Sequence, residues 1–192
     1  MTLRPILLTL LFVAIAPVKL FAQGQPSQEI AFDYTYVHTN APPGGCGCFS
    51  MSGGGGSYAY HYGPQFALLA DVEVVHASKA DGHGDNLTLT SFVAGPRFYY
   101  RRPAVRWVPY GQALLGVVRG TGTLAAANSN GFASSAVFGS TLGGGVEYNL
   151  NRTFTLRVVE VDYFVTTFDN RVNGRQDNLR VTAGVAYYFG KR

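Results

Sequence analysis

The sequence is short of lysine, short of charge in general, and lacks any segment patterned as a helix. Only 14% of the 192 residues are charged, one is Trp and two are Cys, and lysine occurs at Lys19, Lys79 and Lys191 alone. An amphipathic helix needs apolar residues every three or four positions, and after Gln28 no segment carries that stripe. No apolar run reaches the about 20 residues of a helical membrane span. Two cysteines are too few for a disulfide scaffold. The net charge of +4 comes from arginines spread along the chain without a run of them, which argues against a nucleic-acid partner. No cofactor motif is present. Gly53-Gly54-Gly55-Gly56 is followed by neither Lys-Ser/Thr nor a helix, so it is not a phosphate loop.

What is present begins with a leader. Arg4 supplies a positive charge, Ile6 to Val18 is apolar except for Thr9 and Pro17, and Lys19-Leu20-Phe21-Ala22 ends on a small residue. That order is the order of a secretory signal peptide. The expectation is residues 1–22 as signal peptide, cleaved after Ala22, and 23–192 as one domain. No Cys lies near the site, so no lipid anchor is expected. Cleavage removes Arg4 and Lys19, leaving 13 basic against 11 acidic residues, or +2.

The rest is rich in Gly, Tyr and Phe and alternates with period two, the signature of strands. Glu29–His38 sets Ile30, Phe32, Tyr34 and Tyr36 against Ala31, Asp33 and Thr35. Phe66–His76 sets Leu68, Ala70, Val72 and Val74 against Leu69, Asp71 and Glu73. Ser134–Tyr148, Thr153–Thr167 and Leu179–Phe189 behave alike. Phe49–Tyr62, Leu87–Tyr100 and Trp107–Arg119 are less regular. These eight segments are long enough to cross a bilayer at a barrel's tilt. Long connections (39–48, 78–86, 120–132, 168–178) alternate with tight ones (62–65, 101–106, 149–152), as in a transmembrane barrel with its termini on the periplasmic side.

The expected fold is therefore all-β, an eight-stranded antiparallel up-and-down transmembrane barrel. A soluble barrel packs its apolar row inward, whereas a membrane barrel turns that row to lipid. Here one row of nearly every strand is apolar and aromatic and the other mixes charge with Gly and Thr. Filling so narrow an interior with Tyr and Phe would overpack it, so the polar row is expected inside.

The last strand carries a further pattern. Thr182, Gly184, Tyr187 and Phe189 fit the polar, glycine, apolar, aromatic spacing of outer-membrane assembly signals, with Gly190-Lys191-Arg192 following. On that pattern, the leader and the eight strands, the chain resembles the small outer-membrane β-barrel family that includes the transmembrane domain of outer-membrane protein A. The resemblance spans about residues 28–189. It implies a Gram-negative-type outer-membrane location, with outer-membrane lipids and the assembly machinery as partners. It leaves the ligand of the extracellular loops unspecified. No peptidoglycan-binding domain accompanies these residues, so cell-wall anchoring is not implied.

Three constellations of chemically capable residues fall on this frame. Asp33, Asp71, Glu73, Arg97, Gln112, Glu147, Glu160, Asp162 and Arg180 fall on the inner row. Paired carboxylates such as Glu160 and Asp162 suit acid–base chemistry, but a polar plug filling a narrow barrel is the expected reading. His76-Ala77-Ser78 is similar to the His-x-Ser element of barrel lipid A deacylases. That chemistry needs a carboxylate to orient the histidine, and Leu87-Thr88-Leu89-Thr90 offers none. Cys46-Gly47-Cys48 falls in the first long connection, at the same end as His38, His76 and His83. A local disulfide is expected ahead of free or intermolecular thiols and of a soft-metal site, since Cys-x-Cys alone is half a site. No catalytic or metal residue is assigned. The alternatives are a lipid-modifying barrel enzyme and a narrow porin-like channel.

Overall fold

The computed structural model describes residues 27–39, 49–78, 86–122, 136–168 and 174–190. They form eight strands: β1 (Gln28–Thr39), β2 (Phe49–His61), β3 (Phe66–Ala77), β4 (Leu87–Tyr99), β5 (Trp107–Thr121), β6 (Ala136–Asn149), β7 (Phe154–Thr166) and β8 (Gln176–Phe189). Each pairs antiparallel with its sequence neighbour, and β1 pairs with β8 from Gln28↔Phe189 to Thr39↔Asn178, closing the barrel. Closure leaves no strand edge unpaired. The strands lie where the alternation places them, with β8 starting three residues earlier than Leu179 because Gln176 and Asn178 continue its inner row.

Side-chain direction settles the face question. The row of Phe32, Phe98, Leu115 and Leu142 points outward, and these residues are 73, 58, 60 and 65% exposed. So broad an exposed apolar band is not compatible with water and suits a lipid-facing wall. The short-turn end of this wall carries an aromatic girdle. Tyr60, Tyr62, Phe66 and Phe98 are in successive ring contact, as are Trp107 with Tyr148 and Phe154 with Tyr187 and Phe189. Pro96 also sits on the outer row. It has no N–H to donate, and the β4–β5 ladder skips from Ala94↔Leu115 to Arg97↔Gln112 around it.

The interior has three zones. At the long-connection end Val37, Met51, Val75, Leu89, Val118 and Phe164 pack into an apolar cap. Along the β2–β5 side Ala59, Leu69, Val93, Val108 and Leu114 pack with Tyr99 and Tyr110. The space facing β6, β7, β8 and β1 is filled by charged and polar side chains.

Candidate functional site

The inner rows of β1, β3, β6 and β7 contribute seven carboxylates: Glu29, Asp33, Asp71, Glu73, Glu147, Glu160 and Asp162. Three arginines, Arg97, Arg157 and Arg180, reach among them, and their side chains are only 1–2% exposed. A buried guanidinium is tolerable only when its donors are matched by carboxylates and other acceptors.

Arg180 serves the upper level. Its Nε and Nη2 donate to Asp162 Oδ2 at 3.0 and 2.7 Å, and Nη1 donates to Glu73 Oε2 at 3.0 Å. Asp71 Oδ1 lies 3.6 Å from the same guanidinium. Arg97 serves the middle. It donates to Gln112 Oε1 at 2.9 and 2.6 Å and to Glu160 Oε2 at 3.0 Å, with its guanidinium over the Tyr110 ring. Arg157 serves the lower level, donating to Asp33 Oδ2 at 2.7 Å and to Glu29 Oε1 at 3.2 Å. Glu160 is the hub. It lies within 3.8 Å of all three arginines and accepts the Tyr110 hydroxyl at 2.6 Å. Below them, the Glu29 carboxylate meets His61 Nε2 at 2.9 Å and the Tyr99 hydroxyl at 3.1 Å, while Tyr188 donates to Glu147.

Glycine makes these reaches possible. Tyr110 on β5 bonds Glu160 on β7 across β6 at Gly145, and Gln112 bonds Asp162 across β6 at Gly143. Arg157 on β7 bonds Asp33 on β1 across β8 at Gly184. A Cβ built on Gly184 would overlap Asp33 Oδ1 and the Phe32 carbonyl oxygen. Each of these three strand-skipping bonds thus passes over an inner-row residue with no side chain.

All nine residues expected on the inner row face the lumen. Glu29, His61, Tyr99, Tyr110, Arg157 and Tyr188 also line the lumen, beyond the residues expected there. Glu29 and His61 lie on rows whose alternation already marks them as inward, so their signal was present. Arg157 had a misleading signal. A β-bulge turns both Val158 and Val159 outward, so alternation counted back from Glu160 puts Arg157 on the wrong face. The expectation that aromatic rings stay out of the interior needs correction. Tyr99, Tyr110, Phe164 and Tyr188 point inward, with room supplied by the inner glycines and with phenolic hydroxyls bonded to carboxylates in the tyrosine cases.

The remaining candidates fall elsewhere. Thr182 faces inward with its hydroxyl 3.2 Å from that of Thr35, while Tyr187 and Phe189 lie on the outer girdle. His76 points outward, its Nδ1 2.9 Å from Thr88 Oγ1, and Ser78 is exposed just past β3. His38 likewise faces outward, beside Ser50. Cys46, Cys48 and His83 lie outside the described residues. Among the described residues no group of three His, Cys, Asp or Glu side chains is arranged to hold a metal ion.

Residues 6–189 match the family described as outer membrane protein beta-barrel domain. Among solved structures, the fold is similar to Neisserial surface protein A, at 17% identity and a TM-score of 0.63, covering 87% of this chain and all of that one. It is also similar to the attachment invasion locus protein Ail of Yersinia pestis, at 15% identity and 0.55, covering 86% of this chain and all of Ail. The N-terminal β-barrel domain of Pseudomonas aeruginosa OprF gives 18% identity and 0.51, covering 87% and 100%. No curated protein sequence matches the chain. At these identities the likeness is one of fold.

Proposed function

The chain belongs to the outer membrane protein β-barrel family, and on that premise we propose that it is a closed, non-catalytic barrel whose long connections meet partners at the cell surface. The observation that carries this reading is the filled lumen. Three buried arginines, seven carboxylates and an apolar cap occupy the interior where a channel would run or a substrate would bind. An eight-stranded barrel is just wide enough for its own side chains. The position next to the His76 ring is taken by the Thr88 hydroxyl, where a hydrolytic triad would need a carboxylate. Of two neighbours in fold, one is a surface protein by name, Neisserial surface protein A, and the other is named for attachment and invasion, which supports the same direction.

The proposal includes export by the leader, cleavage after Ala22, and partners in the outer-membrane lipids and the assembly machinery that reads the β8 pattern. An epitope inserted between residues 79 and 85 tests the exposure of the long connections. Antibody should label it on intact cells, whereas an epitope in the 150–153 turn should be reached only after the outer membrane is opened. The reverse labelling would refute the orientation. Overproduction should leave lipid A acylation unchanged by mass spectrometry. Loss of one acyl chain, abolished in Ser78→Ala, would establish the enzyme reading instead.

A further inference from the structure

Arginines that are dispersed along the sequence converge at the short-turn end of the barrel. The 100–106 connection carries Arg101, Arg102 and Arg106, and the 150–153 connection carries Arg152. The two connections are neighbours: Asn149 N donates to the Arg106 carbonyl at 2.9 Å, and Trp107 pairs with Tyr148 at a ring separation of 4.9 Å. Arg101 turns inward, lying over Tyr99 and donating to the Tyr188 hydroxyl, so it belongs to the lumen floor. Arg102, Arg106 and Arg152 are exposed. The Arg102 guanidinium lies 4.8 Å over the Tyr100 ring and bonds its hydroxyl, which holds the charge against the outer aromatic girdle.

Among the described residues, the connections at this end carry cations without counter-charge. The 62–65, 100–106 and 150–153 connections contain no Asp or Glu. Of the chain's 11 acidic residues, the seven already named face the lumen, and the others are at positions 81, 85, 169 and 177, in or beside the long connections. Among the described residues no carboxylate forms an ion pair with Arg102, Arg106 or Arg152. Exposed guanidiniums set beside interfacial Trp and Tyr rings lie at the depth of lipid phosphates. Arginine matches a phosphate with two donors at once.

We propose that Arg102, Arg106 and Arg152, with Trp107, Tyr148 and Tyr100, form a binding surface for anionic phospholipid headgroups in the leaflet that meets the short turns. The outward position of these rings on the lipid-facing wall favours a lipid over a soluble polyanion. The proposal rests on the barrel lying in a bilayer, and the test reports that separately.

Trp107 is the only tryptophan of the chain, sits 52% exposed within this surface, and serves as its own reporter. The full chain is reconstituted in phosphatidylcholine vesicles containing brominated phosphatidylglycerol or brominated phosphatidylcholine, and Trp107 quenching is measured. A blue-shifted emission and a heat-modifiable gel band show that the barrel has inserted. The expected result is a relative affinity for the anionic lipid of roughly fivefold or more, falling toward one at high salt. The triple variant Arg102→Gln/Arg106→Gln/Arg152→Gln should lose that preference. Equal quenching by both lipids in the inserted wild type overturns the proposal, as does a folded triple variant that keeps the preference. Should the variant not fold, the wild-type lipid and salt comparison decides alone. A wild type that fails to insert would instead count against the membrane-barrel reading itself.

Discussion

Arg180 makes the clearest residue-scale case, because its guanidinium bonds Asp162 and Glu73 and lies within 3.6 Å of Asp71 while almost wholly shielded from water. Removing one partner of such a set costs more than the set contributes, since the others remain buried and charged. Arg180→Met should therefore destabilise the barrel by about 3–5 kcal/mol, read as a shift in urea unfolding in lipid vesicles. Adding Asp162→Asn to that variant should recover part of the loss, because one stranded charge is removed. A double variant less stable than Arg180→Met would argue that Asp162 is held by other groups. Gly184 gives a second test at this scale. Valine there would block the path from Arg157 to Asp33, and a loss of roughly 1–3 kcal/mol is expected, as for other overpacked interiors. Gly111 faces outward with only the Gly143 carbonyl oxygen near its Cβ position, so Gly111→Ala serves as the near-neutral control.

At the scale of elements, β7 is decisive because its bulge sets which side chains enter the lumen. Glu147 pairs with Arg157 and Val146 with Val159, so Val158 is the inserted residue. Deleting Val158 should restore plain alternation, with Arg157 inward, Val159 outward and Glu160 inward, so that Arg157 still reaches Asp33 and Glu29. The expected outcome is a heat-modifiable, folded barrel in outer-membrane fractions, and failure to assemble would show that the bulge itself, beyond the inward facing of Arg157, is required. The same bulge marks where the sequence could be read and where it could not. Strand existence and facing followed from period-two alternation, since that pattern is dictated directly by pleating and by the difference between lipid and lumen. Asp71, Glu73 and Asp162 were found that way. Arg157 was not, because an extra residue in a strand of valines leaves no mark in composition. The inward tyrosines were hidden for another reason. A phenol serves either face, and only its hydroxyl's partner decides, as Glu160 does for Tyr110 and Glu29 for Tyr99. The convergence of Arg106 and Arg152 likewise depends on β5 pairing with β6, which separations along the chain do not display.

At the scale of the whole molecule, the account holds that the barrel wall is lipid-facing and the lumen is sealed by its own side chains. The outer apolar rows, the aromatic girdle and the family match bear on the wall. The arginine–carboxylate network and the apolar cap bear on the lumen. Single-channel recording of the purified full chain in planar bilayers tests the seal most directly. Open porins use about 16 or more strands to leave a water path. The account predicts a quiet bilayer with at most rare, small openings from the wild type, and more frequent openings once Arg180→Met disrupts the network. Steady, large currents from the wild-type monomer would contradict it.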